Sequence, residues 1–121
     1  MAKLKRNMIE LVKNPEEVLK GGEIEFEKFW TPPFLPLEVT YEAIDLMEKI
    51  EGGKGEIGEK EMLDLLMEFI SSKVYGGQFS SDDLLKRLHA PDAVKELEEQ
   101  VLFIAQGQQT EETKKFLAKK N

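Results

Sequence analysis

The sequence predicts a mainly α protein, a small bundle of about five helices preceded by an N-terminal extended arm or small β-hairpin. Apolar residues recur at helical spacing through most of residues 37–107, start and stop signals separate the helices, and residues 23–30 change to a period of two. With 121 residues, 40% of them hydrophobic, the chain can bury one modest core. We divide it into an N-terminal arm (1–36), a helical core (37–107) and a loosely packed C-terminal helix or tail (108–121).

The arm contains a strand-like segment, "EIEFEKFW" at 23–30, that places Ile24, Phe26 and Trp30 on one side and glutamates on the other. This alternation is typical of a half-buried strand. Its candidate partner is "NMIELVKN" at 7–14, with a turn-rich segment between the two. The pattern leaves both a hairpin and an extended arm open.

A proline-rich bridge, "FWTPPFLPLEV" at 29–39, joins the arm to the helices. A free linker would expose its large apolar side chains to water, and a polyproline ligand would have flanking basic residues, which this segment lacks. Pro32 and Pro33 favour an extended chain, and Pro36 precedes the first core helix. We therefore predict a stiff bridge whose aromatic side chains cover the core.

The first core helix is predicted at 37–51, with an apolar face that starts at Leu37 and continues through the residues Val39, Ala43, Ile44, Met47 and Ile50. Glycines at 52–58 indicate a turn or loop. The next helix, predicted at 58–75, has apolar residues over a wide arc and is expected to be the most buried. Gly76 is the expected C-terminal stop.

Three further helices are predicted from their end signals. Ser80 as N-cap with Asp83 three residues later forms an aspartate version of the capping box for a short helix at 81–88. Pro91 starts a helix over 90–107 that ends at Gly107. Thr110 caps a last helix at 111–120, whose only large apolar residues, Phe116 and Leu117, are too few to hold it firmly.

Composition excludes several classes of function. Cysteine is absent, so disulfides, thiolate metal sites and cysteine nucleophiles are excluded. A formal charge of −7 repels phosphate backbones, and no apolar run approaches the ~20 residues of a membrane span. The basic first residues lack the apolar segment of a secretion signal, so a cytosolic protein is expected.

Residues capable of catalysis or metal binding are sparse. His89 lies near acidic residues in sequence, but a zinc site needs three or four placed ligands. The strip Glu61, Asp64 and Glu68 lacks the Glu-x-x-His motif of carboxylate-bridged metal bundles. A helix-turn-helix outline at 82–100 offers acidic residues where a recognition helix would present basic or amide ones. We therefore predict no catalytic, cofactor-binding or metal residues and no enzymatic activity.

Three segments, in this order and spacing, resemble the tail assembly chaperones of long, non-contractile-tailed bacteriophages and related prophages. They are "FWTPPFLPLEVTYEAIDLMEKIE" (29–51), "YGGQFSSDDLLKRLHAPDAVKELEEQVLFIAQG" (75–107) and "TEETKKFLAKKN" (110–121). The resemblance extends over the whole chain and is weakest at 14–28. It depends on the order of the motifs, since no single one is diagnostic.

The resemblance implies a helical chaperone that binds and solubilises the tape-measure protein, helps recruit the major tail protein, and is absent from the mature virion. It further implies self-association and action in the cytoplasm of the bacterial host, without nucleic acid, membrane or cofactor. The candidate partner-binding residues lie in the bridge and in the turn that starts at Tyr75: Trp30, Pro32, Pro33, Phe34, Tyr75 and Phe79.

Members of that family are made in a short form and in a longer, frameshifted form. Lys119 and Lys120 can be encoded by an A-rich slippery run, which makes them the candidate frameshift position, although a basic last turn also complements the helix dipole without any such role. The alternative function is a helical regulatory or adaptor domain that binds an unknown partner.

Overall fold

A computed structural model describes residues 4–52 and 58–119 of the chain. The elements in chain order are β1 (Met8–Val12), α1 (Pro15–Leu19), β2 (Phe26–Trp30), α2 (Leu37–Gly52), α3 (Glu59–Phe69) with a π-helical turn (Ile70–Val74), α4 (Ser81–Arg87), α5 (Ala90–Gln106) and α6 (Glu111–Lys119). The prediction of a mainly α fold is confirmed, and of the two predicted forms of the N-terminal segment, an extended arm or a small hairpin, the structure has the hairpin.

The arm is a hairpin in which β1 pairs antiparallel with β2, from Met8 opposite Trp30 to Val12 opposite Phe26. The side chain of Asn14 closes the long connection between the strands. Its amide nitrogen donates to the carbonyl of Glu23 at 2.8 Å, and its oxygen accepts from the backbone N–H of Glu25 at 3.0 Å. The short helix α1 lies within this connection.

The side of the hairpin that packs on the core differs from the predicted one. Ile24 and Phe26 are 56% and 57% exposed, so the expected apolar face of residues 23–30 is wrong at these two positions. The core side of the sheet carries Ile9, Leu11 and Phe29 instead. Because alternate residues of a strand face opposite sides, burial of Phe29 leaves Phe26 on the other side.

The opposite side of the sheet is covered at one end by α6. Met8 is buried there, and the ring of Trp30 meets that of Phe116 edge to face, with centroids 5.5 Å apart. The hairpin is therefore enclosed between the helical core and the last helix at the Met8 end, and open to solvent at the Phe26 end.

The core forms where the inner side of the hairpin meets α2, α3, α4 and α5. The helices contribute buried apolar side chains of which the most enclosed are Ala43, Leu66, Ile70, Val74, Leu84, Leu97 and Val101. The segment predicted as one helix over 58–75 is an α-helix that widens into a π-helical turn, where the N–H of Tyr75 donates to the carbonyl of Ile70. The hydroxyls of Ser71 and Ser72 donate to the carbonyl of Glu68 at the start of this turn.

The helix ends predicted from Ser80, Gly107 and Thr110 agree with the structure, whereas most of the loop predicted at 52–58 and the predicted last helical residue, Lys120, lie outside the described residues. Ser80 and Asp83 form a capping box in both directions, with the N–H of Asp83 donating to the Ser80 hydroxyl at 3.1 Å and the N–H of Ser80 donating to the Asp83 carboxylate at 2.9 Å. Gly107 ends α5 in the left-handed conformation, at φ 72°. Thr110 caps α6 by accepting from the N–H of Thr113.

A buried polar network joins the hairpin to α5 and α6. The amide nitrogen of Asn7 donates to the side-chain oxygen of Gln100 at 3.1 Å. The amide oxygen of Asn7 accepts from the hydroxyl of Thr113 at 2.7 Å and from the N–H of Thr110 at 3.0 Å. All four residues are at most 2% exposed. The loose packing expected of residues 108–121 was inferred from apolar content alone and did not include these polar contacts.

We predict that Asn7→Ala lowers the free energy of unfolding by about 3 kcal/mol or more, because it leaves several buried donors and acceptors without partners. The matched control is Asn14→Ala, which removes an asparagine with exposed hydrogen bonds and should cost less than about 1 kcal/mol. Urea unfolding of both variants gives the measurement. Equal losses would contradict a central role for the Asn7 network.

Candidate protein-interaction site

The bridge and the turn at Tyr75–Phe79, which belong to two of the segments that resemble the family, lie against each other in the structure. The rings of Phe29 and Phe79 meet edge to face with centroids 4.9 Å apart. The side-chain amide of Gln78 donates to the carbonyl of Trp30 at 2.7 Å and to that of Tyr75 at 2.9 Å. The turn therefore fixes the start of the bridge.

The hairpin fixes the bridge from its other side. The N–H of Thr31 donates to the carbonyl of Asn7 at 2.9 Å, and the N–H of Asn7 donates to the Thr31 hydroxyl at 3.1 Å. The side chain of Arg6 donates to the carbonyl of Thr31 at 2.8 Å and lies over the ring of Trp30. Because Thr31 is fully buried between these contacts, the residues that follow it leave the core in a defined direction.

Beyond Thr31 the bridge reaches the surface. Pro32 is half-buried, whereas Pro33 is exposed and Phe34 is 66% exposed. The expectation that the aromatic side chains of the bridge cover the core is therefore wrong at Phe34, because the chain has already left the core after Thr31. A groove of about 320 Å³ lies between this part of the bridge and the helices, and its floor includes Val39 of α2 and Ile104 of α5. Such a volume is at the lower end of that of ligand pockets, and it suits one large side chain.

The outer face of α2 continues this surface. Leu37, Tyr41 and Ile44 follow each other at spacings of four and three residues, which aligns them along one side of a helix. They are 69%, 65% and 43% exposed. We call these three residues together with Phe34 the apolar surface. An apolar surface of this kind commonly marks an interaction site.

The burial of α2 corrects the predicted apolar face of this helix. Val39 and Ala43 are buried as expected, but Leu37 and Ile44 were assigned to the same face and are exposed. The helix has two apolar stripes, one toward the core and one toward solvent. The spacing of Leu37, Tyr41 and Ile44 was the signal in the sequence that could have identified the second stripe.

The candidate partner-binding residues occupy three kinds of place. Pro33 and Phe34 lie at the surface, while Trp30 and Pro32 are half-buried in the fixed part of the bridge. Tyr75 and Phe79 are buried in the core, where they support the bridge from beneath. Partner binding by any of the six stays a prediction.

Tyr75 also belongs to the buried polar network. Its hydroxyl donates to the side-chain oxygen of Gln100 at 2.5 Å. Burial, reinforced by the nearby charge of Glu96, raises the pKa of the Tyr75 phenol well above its usual value, and the hydrogen bond to Gln100 opposes that shift. Tyr75 is therefore a neutral hydrogen-bond donor at physiological pH.

The carboxyl group of Glu96 also has a strongly shifted pKa. Burial raises the pKa of its carboxyl group to about 7, and the charges of Glu112, Glu99 and Glu10 add to the shift. The side-chain amide of Gln100 donates to this carboxyl at 2.8 Å and works in the opposite direction.

No group of three acidic, histidine or cysteine side chains in residues 4–52 and 58–119 is arranged to hold a metal ion. His89 is exposed at the N-cap position of α5 and makes no side-chain cap bond there. No helix in the described part of the chain is long and apolar enough to cross a membrane.

The chain is a small, mainly helical protein in which a fixed bridge leads to an exposed apolar face of α2. A family model described as "Phage tail chaperone protein" matches residues 3–121. The chain belongs to this family, which confirms the resemblance found in the sequence, and membership implies interaction with tail proteins. Comparisons with curated proteins and with solved structures gave no match.

We predict that stability falls as the pH rises from about 5 to 8. Glu96 has a folded-state pKa of about 7 against an ordinary value of 4.5, so the folded state binds more protons in this window. The contribution of Glu96 to the free energy of unfolding is fully present below pH 4.5 and is lost as the pH rises through 7. The total loss is at most about 3 kcal/mol. Thermal unfolding across this range gives the measurement.

The control variant is Glu96→Gln, which keeps an oxygen for Gln100 but does not titrate. It should flatten the pH dependence and be more stable than the unmodified chain at pH 8. The pKa of Asp83 is lowered, first by its hydrogen bond from the Ser80 backbone, so its contribution changes only below its ordinary value of 3.8 and outside the window. If the stability of Glu96→Gln depends on pH as steeply as that of the unmodified chain, Glu96 is not the group responsible.

Proposed function

We propose that this protein binds the tape-measure protein in the host cytoplasm, keeps it soluble, and helps recruit the major tail protein during assembly of the tail tube. It would act without catalysis and would be absent from the finished virion. Membership of the phage tail chaperone family supports the proposal. The structural observation that carries it is the apolar surface, where Phe34 and three residues of α2 lie uncovered.

The apolar surface suits a helical partner. Leu37, Tyr41 and Ile44 extend over two turns of α2, about 10 Å along its axis at 1.5 Å per residue. The family resemblance implies a tape-measure protein that is a long, largely helical rod with apolar stripes. A stripe of this kind can pack lengthwise on an exposed helix face, as in other helix-binding proteins.

The bridge supplies the rigidity that such a surface needs. Trp30 and Thr31 are fixed by the hairpin and by the turn at Tyr75–Phe79, so Phe34 leaves a defined point on the surface. A backbone segment anchored in this way loses less conformational freedom on binding than a free one would. The overall charge of −7 would keep the complex with the tape-measure protein dispersed.

We further propose that the gene makes a short and a frameshifted long form, with the shift at Lys119 and Lys120. Lys119 is the last residue of α6, and Lys120 lies outside the described residues. The nucleotide sequence tests this directly. An A-rich slippery run followed by an overlapping −1 frame is expected, and codons that exclude slippage would overturn the two-form proposal.

We predict that co-expression with the tape-measure protein of the same phage raises the soluble yield of that protein, and that the double variant Leu37→Glu/Tyr41→Glu removes this gain. Both side chains are exposed, so the variant should unfold at nearly the same temperature as the unmodified chain. Solubility fractionation and affinity capture give the measurement.

The matched control is Leu85→Glu, which introduces a charge at an exposed leucine of α4, outside the apolar surface. It should retain the full gain in soluble yield. The proposed function fails if the unmodified chain neither raises the yield nor captures the tape-measure protein. Equal loss in the two variants would show that the apolar surface is not the site.

A further inference from the structure

The apolar surface has an acidic border along one side of α2 and at the C-terminal end of the stripe. Residues three and four apart on a helix are neighbours, so Tyr41 has Glu38 and Asp45 beside it, and Ile44 is followed one turn later by Glu48. These three carboxylate side chains are exposed. Across its 16 residues α2 carries five carboxylates and a single basic residue, Lys49.

The carboxylates of this border outnumber the basic side chains of α2, where Lys49 lies four residues after Asp45. In the part of the chain that the structure describes, none of Glu38, Asp45 and Glu48 takes part in an ion pair, whereas the neighbouring Glu42 lies 3.6 Å from Lys73. Lys5 lines the groove beside the bridge, and its ammonium donates to the carbonyl of Gly107. The acidic border is therefore available to an external cation.

We propose that the segment bound by the apolar surface is an amphipathic helix whose apolar stripe is flanked by lysine or arginine residues. This inference rests on the proposed function and adds the chemistry of the partner segment. The apolar stripe supplies most of the binding energy, and the basic flank sets orientation and speeds association through its attraction to Glu38, Asp45 and Glu48.

The same charges disfavour a second copy of this chain as the occupant. A symmetric dimer brings the same patch of both subunits together. If α2 met α2, the carboxylates beside Tyr41 would face carboxylates, with only Lys49 on each side to offset them. Like charges in contact across an interface oppose association, so self-association of this protein would use another face.

The test uses two designed helical peptides with the same apolar stripe, one flanked by lysines and one by glutamates. Fluorescence anisotropy measures their binding to the full chain. The lysine-flanked peptide should bind about tenfold more tightly at low salt, and the difference should shrink as the ionic strength rises. The charge-reversal double variant Glu38→Lys/Asp45→Lys should instead bind the glutamate-flanked peptide more tightly.

A matched control is Glu61→Lys/Glu68→Lys on α3. These carboxylates are also exposed and seven residues apart, and neither is in an ion pair among the described residues, so the net charge changes equally at another surface. The control should keep the preference for the lysine-flanked peptide. The inference is overturned if the two peptides bind alike, if neither binds, or if both double variants change the preference equally.

Two further measurements distinguish this inference from the proposed function and from the alternative that a second copy of this chain occupies the apolar surface. If the tape-measure protein is captured equally by the unmodified chain and by Glu38→Lys/Asp45→Lys, the proposed function stands and the basic flank is rejected. If sedimentation shows a dimer of the unmodified chain that Tyr41→Glu dissociates, the occupant is a second copy and the inference is rejected.

Discussion

The side chain of Asn7 is the point on which the rest of the structure depends. Through one amide it contacts Gln100 of α5 and both threonines at the start of α6, and its backbone pairs with Thr31 of the bridge. These groups are buried, and no buried side-chain nitrogen or oxygen in the described residues lacks a partner. Hydrogen bonds are directional, so this arrangement specifies where the hairpin, the bridge and the last helix lie relative to one another.

The position of the apolar surface follows from that constraint. The hairpin and the Tyr75–Phe79 turn hold Thr31 and Trp30 from two sides, and the three prolines that follow limit the paths the chain can take to α2. Phe34 is consequently presented at the surface next to Leu37, and is not collapsed into the core. Phe34 is therefore exposed because the bridge is stiff, and not because the bridge is loosely packed.

Much of the fold could be predicted from the sequence, because its helices carry local signals that act within a few residues. Ser80 with Asp83, Pro91, Gly107 and Thr110 each define a helix end through contacts with their immediate neighbours. Residues 37–52 and 90–106 also have the periodicity that burial of one face requires. The family assignment likewise followed from the order of the motifs.

The parts that could not be predicted depend on contacts between distant segments. Periodicity alone does not say which stripe of α2 is covered, so Leu37 and Ile44 were assigned to the core. The exposed Phe26 depends on which side of the hairpin the helices occupy. Asn7 and Thr113 are unremarkable in the sequence, since polar residues of this kind are usually at the surface. The buried hydrogen bonds that hold α6 in place form only when the fold brings these residues together.

The distance along the chain between Asn7 and its partners has a consequence for folding order. Its side chain bonds to residues that are 93 to 106 positions away. During synthesis Asn7 therefore leaves the ribosome long before Gln100, Thr110 and Thr113, and its side chain cannot make these hydrogen bonds until the chain is nearly complete. Contacts of such long range are formed slowly, because a large loop must close first. The polar contacts that join the hairpin to α5 and α6 are therefore expected to form late in folding.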